Sequence, residues 1–106
     1  MNRFVWVNAS SVDQALASAT DGSAFKAGGV DLLDLMKDGI TRPSRLVNIR
    51  QISGLDQINE DGNSLRIGPL VTLAQIEEHP VIQSKYTALA EAASRIATPQ
   101  IRNMAT

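Results

Sequence analysis

The run Ser23-Ala24-Phe25-Lys26-Ala27-Gly28-Gly29-Val30-Asp31-Leu32-Leu33 decides how this chain is read. Residues 24–27 read as a short strand, two adjacent glycines follow, and residues 31–37 open a helix-like pattern. A glycine pair lets the backbone take φ > 0 and brings its N–H groups close to an anion with no Cβ in the way. The first turn of the following helix then aims its unpaired N–H groups, and the positive end of its dipole, at that anion. The stretch therefore reads as a phosphate-binding turn. A purely structural tight turn fits the same residues, because strand-Gly-Gly-helix connections are common.

Working outward, residues 4–7 read as a strand. Ser10 or Ser11 caps a helix over residues 12–19 that lines up Val12, Ala15, Leu16 and Ala19. Asp21-Gly22 ends it. After the glycine turn, the helix of residues 31–37 stops near Gly39, and residues 45–49 form a third strand led in by Pro43. Strand-helix-strand-helix-strand implies a small, mostly parallel sheet with right-handed crossovers. The pattern then changes: residues 56–58 and 64–67 read as strands, and the connection between them holds Asp61-Gly62, which suits a hairpin. Thr72 caps a two-turn helix that His79-Pro80 terminates, and residues 86–97 read as a longer alanine-rich helix ended by Pro99. The seam near residues 50–57 separates two expected subdomains, 1–52 and 53–106.

Composition excludes several function classes. The chain has 106 residues, 43% hydrophobic and 20% charged, with a formal net charge of -1. That is a globular chain of one modest domain's length, with no electrostatic footprint for nucleic acid or an anionic membrane surface. The absence of cysteine rules out disulfides, thiolate metal sites and iron-sulfur ligation within these residues. No stretch approaches the roughly 20 apolar residues of a membrane-spanning helix. The opening seven residues have too short an apolar run for a secretory signal. The cytoplasm is the default compartment, with the periplasm reached through a partner's export signal as the alternative.

Catalytic machinery is equally sparse. His79, the single histidine, stands next to Pro80 at a helix end and reads as structural or exposed. Asp31, Asp34 and Asp38 share helical spacing, which usually marks a solvated face. No serine elbow and no general acid-base pair is visible. Any reaction must take its reactive atoms from a bound cofactor or from another chain.

Five ordered motifs carry a resemblance. They are Lys26-Ala27-Gly28-Gly29-Val30-Asp31-Leu32-Leu33; Met36-Lys37 with Arg42-Pro43; Leu46-Val47-Asn48-Ile49; Leu65 through Leu73, which includes Gly68-Pro69-Leu70; and Pro99-Gln100-Ile101-Arg102-Asn103-Met104-Ala105-Thr106. Together they resemble the FAD-binding (medium) subunit of the molybdenum hydroxylases, the xanthine, aldehyde and carbon monoxide dehydrogenase family. The wording is closest to the aldehyde oxidoreductase branch. The resemblance implies an α+β, PCMH-type FAD-binding fold: a small βαβ subdomain followed by the start of a mainly antiparallel second one.

The resemblance further implies an electron-transfer flavin subunit of an oxidoreductase. FAD would pass electrons from iron-sulfur clusters to an acceptor, beside a molybdenum-cofactor large subunit and a 2Fe-2S small subunit. It assigns cofactor contacts to Lys26, Ala27, Gly28, Gly29, Val30, Asp31, Leu32 and Leu33. Ile96, on the helix before the last motif, and Thr106, from which family members continue into a second glycine loop that these residues do not include, join them; a core isoleucine of an amphipathic helix is the alternative for Ile96. It assigns no catalytic residue and no metal ligand. Val30 departs from the family, which often has threonine, asparagine or histidine there, so backbone N–H groups must suffice. Arg102 is expected to brace its own loop through backbone hydrogen bonds rather than hold phosphate. The chain looks like the N-terminal part of a longer subunit, inactive alone. The alternative is a non-catalytic folded or docking piece that lacks half of its cofactor cradle.

Overall fold

The computed structural model describes residues 1–106 and divides into two compact units, Met1–Gly54 and Leu55–Thr106. In the first, β1 (Val5–Asn8), α1 (Val12–Ser18), β2 (Ser23–Lys26), α2 (Val30–Lys37) and β3 (Arg45–Asn48) follow one another. The sheet is parallel with spatial order β1-β3-β2. Both connections are crossovers, and the right-handed rule sends α1 and α2 to opposite faces. Leu46 and Val47, which point to opposite faces of the central strand, are both fully buried, as is Met36 of α2. The Arg45 guanidinium donates to the Ser18 carbonyl at 3.1 Å and ties the end of α1 to the sheet.

The expected apolar face of α1 is only partly used. Ala15 is buried, whereas Val12 and Leu16 are 47% and 61% exposed, and Ala19 lies beyond the helix as its exposed C-cap. A seven-residue helix over strands of four residues meets the sheet near one point, so only its middle is covered. Ser11 caps α1 as expected, its hydroxyl accepting from the Gln14 N–H at 3.1 Å.

The second unit begins with an antiparallel hairpin, β4 (Ile58–Asp61) and β5 (Ser64–Ile67). Asp61 pairs with Ser64, so the turn is Gly62-Asn63 alone, and Asn59, Glu60 and Asp61 are strand rather than the expected loop. Gly62 has φ of 61° and Asn63 does not have positive φ, the pattern of a II′ turn with glycine first. Four helices follow: α3 (Leu73–Glu78), α4 (Pro80–Lys85), α5 (Thr87–Arg95) and α6 (Pro99–Arg102). Val71, Ile76, Ile82, Ala90 and Ala93 form the core, with Ile58, Leu65, Leu73 and Tyr86 packed against it.

Neither α4 nor α6 was expected. Pro80 and Pro99 each sit at the first turn of a new helix, where the missing N–H costs nothing; each proline that closes one helix opens the next. The long helix expected over residues 86–97 accordingly starts at Thr87 and ends at Arg95. Thr72 caps α3 in a full capping box with Gln75. The α+β class expected from sequence is the one observed, with two small open sheets.

Candidate functional site: a glycine-capped helix at the carboxyl edge of a parallel sheet

Lys26 is the last residue of β2 and Val30 the first of α2, so three residues turn the chain. Gly29 caps α2 at φ 83°, ψ 1°, in the left-handed region, and no side-chain cap hydrogen bond closes the helix. The helix does begin there, because the Leu33 N–H reaches the Gly29 carbonyl at 3.0 Å. The N–H groups ahead of Leu33 in the first turn have no intrahelical acceptor by geometry. Elsewhere in the chain Ser11, Thr72 and Thr98 supply a hydroxyl to that end of a helix. The starts of α2, α4 and α5 have no such hydroxyl, and α2 alone of these begins at a glycine in the left-handed region.

Lys26, Ala27, Gly28, Gly29, Val30, Asp31, Leu32 and Leu33 thus come together on one turn and one helix start. Gly28 is buried, Asp31 is exposed, and the others are half-buried. Lys26 folds back over the turn: a Cβ on Gly29 would lie 2.7 Å from Lys26 Cε and 3.5 Å from Leu33 Cδ1. Its ammonium sits 5.9 Å from the centroid of the Trp6 ring. Desolvation and the nearby Arg50 charge hold that ammonium below the usual lysine pKa.

Residues that sequence reasoning missed complete this edge. The strand register sets Asn8, Asn48 and Lys26 opposite one another at the last rung of β1, β3 and β2. Asn48 Nδ2 donates to Asn8 Oδ1 at 3.0 Å, and Trp6 Nε1 donates to the same oxygen at 3.0 Å. The Arg50 N–H reaches Asn48 Oδ1 at 3.4 Å. The one signal available in advance was a polar residue closing each of three apolar strands.

Ile96 and Thr106 belong to the second unit. Ile96 is the C-cap of α5 and is 48% exposed, so it is not a core isoleucine of that helix. Thr106 follows α6, next to Ala105, whose carbonyl accepts from the Leu73 N–H at 2.9 Å. Arg102 behaves as the sequence suggested. Its guanidinium donates to the Ile96 and Ala97 carbonyls at 3.0 and 3.4 Å and lies 3.4 Å from the Glu77 carboxylate. Ala97 is the one non-glycine residue with positive φ, at 54°, and Arg102 holds that turn.

The donor set at the 26–33 turn fits a flavin dinucleotide's diphosphate: a glycine that admits close approach, helix N–H groups without a cap, and a lysine across them. No group of three or more histidine, cysteine or carboxylate side chains is placed to hold a metal ion. His79, between α3 and α4, keeps its Nδ1 buried without a hydrogen-bond partner, as Thr41 does its hydroxyl. No helix is long and apolar enough to cross a membrane.

Residues 2–106 match the family described as the FAD binding domain in molybdopterin dehydrogenase. The carbon monoxide dehydrogenase medium chain of Hydrogenophaga pseudoflava is 37% identical over 107 residues, covering 98% of this chain and 37% of that one. The aldehyde oxidoreductase FAD-binding subunit of Escherichia coli is 37% identical over 109 residues, 100% of this chain and 34% of that one. Among solved structures, reconstituted CO dehydrogenase from Oligotropha carboxidovorans superposes with a TM-score of 0.90 at 30% identity. It covers 99% of this chain and 38% of that chain. The chain thus spans about a third of the length of these relatives. The carbon monoxide dehydrogenase and aldehyde oxidoreductase subunits match at the same identity, so identity does not choose between these two branches.

Proposed function

Since the chain belongs to the family of FAD-binding domains in molybdopterin dehydrogenases, we propose that it forms the first diphosphate-binding part of the flavin site in the electron-transfer subunit of a molybdenum-containing oxidoreductase. The observation that carries this reading is the left-handed Gly29 cap, which leaves the start of α2 without a side-chain partner. Bound FAD would supply the redox chemistry, taking electrons from iron-sulfur clusters and delivering them to an acceptor.

The chain's own residues bind and orient. Gly28 and Gly29 allow the close approach, the first-turn N–H groups of α2 offer donors, and Lys26 offers charge. Val30 has no hydroxyl to add, so backbone donors carry the contact. Asp31, Leu32 and Leu33 build the helix turn that fixes those donors. Ile96 and Thr106 are assigned to the same cofactor, Ile96 through its exposed apolar surface. The partners are a molybdenum-cofactor large subunit and a 2Fe-2S small subunit, in keeping with relatives named as medium chains or medium subunits.

The test is flavin content in a chimera that carries this chain in place of the matching segment of the Hydrogenophaga medium chain. Gly29→Val forces a β-branched residue into the left-handed region and puts a side chain in the path of phosphate. It should lower the flavin-to-protein ratio severely, whereas Val30→Thr should keep or raise it. An unchanged ratio in the Gly29 variant would remove the diphosphate-turn assignment.

A further inference from the structure

Lys26 and Arg50 are the two cations at the carboxyl edge of the parallel sheet, and no Asp or Glu pairs with either. The ion pairs of the chain join Lys85 to Glu60, Arg95 to Glu91 and Arg102 to Glu77, all in the second unit. Like charges repel, and holding both beside the positive end of a helix costs free energy in the absence of a counter-ion. The Lys26 side chain and the Arg50 backbone are nevertheless held there by a chain of specific contacts, and the Ile49 N–H, one residue before Arg50, reaches the Lys26 carbonyl at 3.0 Å. Asn48 is the one buried polar residue, 7% exposed. Its amide bonds Asn8 on one side and the Arg50 backbone on the other. Asn8 in turn fixes the Trp6 indole, and the Trp6 ring takes the Lys26 ammonium through its π face. Two neighbouring cations without a carboxylate suit a ligand with two phosphate groups, one for each cation; a monophosphate ester, although close to a dianion at neutral pH, presents only one group.

We propose that Trp6, Asn8 and Asn48 are positioning residues that hold Lys26 and Arg50 as a two-cation clamp, and that this clamp makes the 26–33 turn selective for a diphosphate ester over a monophosphate. The proposal rests on the phosphate-turn reading and adds the specificity to it. The glycine turn supplies donors that one phosphate satisfies; the second cation has work only when a second phosphate is present. Arg50 is the charged group that acts on Lys26, so removing it alters the lysine's titration as well as the ligand's affinity.

The experiment measures binding of ADP and AMP to the chain at fixed ionic strength, in the wild type and in Lys26→Met, Arg50→Met, Trp6→Leu and Trp6→Phe. The wild type should prefer ADP by about tenfold or more, the value of one charge-assisted contact. Lys26→Met and Arg50→Met should each reduce that preference to about twofold while changing AMP affinity less. Trp6→Leu should move the ratio in the same direction, with Trp6→Phe, which keeps a ring under the ammonium, in between. Equal affinity for ADP and AMP in the wild type, or a preference unchanged in both cation variants, overturns the clamp. Competition by FAD separates the two readings. If FAD displaces ADP while the variants leave the preference unchanged, the clamp fails and the flavin assignment stands. If the variants act as described and FAD does not compete, the clamp stands and the flavin assignment falls.

Discussion

Lys26 and Arg102 are both cations beside a tight turn at a helix end, and the molecule treats them in opposite ways. Arg102 is 14% exposed at its side chain, with a carboxylate 3.4 Å away and two carbonyls within hydrogen-bond reach. Lys26 has a Trp6 ring and a like charge. A cation whose partners are all internal is part of the fold. One without a counter-ion, set over an uncapped helix start, is available to a ligand. The helix starts differ too: hydroxyls close α1, α3 and α6, α4 and α5 begin without a side-chain cap at His79 and Tyr86, and α2 alone begins at a left-handed glycine.

The contrast breaks if the two cations respond alike to removal. Arg102→Met should destabilise the chain by about 1–3 kcal/mol, because it leaves the Glu77 carboxylate and the Ile96 and Ala97 carbonyls without their donor. Lys26→Met should leave the denaturant midpoint unchanged or raise it, since it relieves the repulsion with Arg50. Chemical denaturation of both variants checks this, and a Lys26 loss as large as the Arg102 loss would make Lys26 structural.

A smaller effect sharpens the role of Arg102. Ala97 is held in the left-handed region, which costs an alanine about 1 kcal/mol or somewhat more. Ala97→Gly should therefore stabilise by about 0.5–1 kcal/mol after glycine's own entropy cost. It should also reduce the penalty of Arg102→Met in the double variant, a coupling that a double-mutant cycle reads directly.

The smallest effect is a pH dependence. Desolvation and Arg50 lower the Lys26 pKa in the folded chain, so just below the unfolded lysine value of 10.5 the unfolded chain binds more protons. Stability contributed by this group therefore rises with pH through the folded pKa and levels off above 10.5. Arg50→Gln should shrink the rise. A bound anion acts in the other sense: it raises the Lys26 pKa, so binding takes up protons in that window and affinity falls as pH increases. Titration of the Lys26 side chain by NMR, with and without ADP, follows both signs.

Much of the first unit could be read from residues alone, because its signals are local. Strand, glycine pair and helix start are contiguous, and Gly29 takes the positive φ that its glycine identity allows. In the second unit the cap at Thr72 is legible, whereas its capping-box partner Gln75 comes from the structure. Arg102 was assigned to backbone bracing, and its guanidinium does that. The edge formed by Trp6, Asn8, Asn48 and Arg50 was not readable, since Asn8 and Asn48 are 40 residues apart and only strand register sets them side by side. Helices α4 and α6 are hidden in the pattern because a proline that ends one helix also begins the next. Val12 and Leu16 carry a helical apolar pattern, but pattern alone does not say how much sheet lies beneath.

The central claim is that the turn from Lys26 to the start of α2 receives the FAD diphosphate. Amide chemical shifts of the chain titrated with millimolar FAD test it most directly. The account expects the largest perturbations at Gly29, Val30, Asp31 and Leu32, with the Lys26 side chain moving alongside them, and little change at the Gly62 turn of the hairpin. FAD binding that leaves the amides of Gly29 to Leu32 in place while shifting residues elsewhere would contradict it.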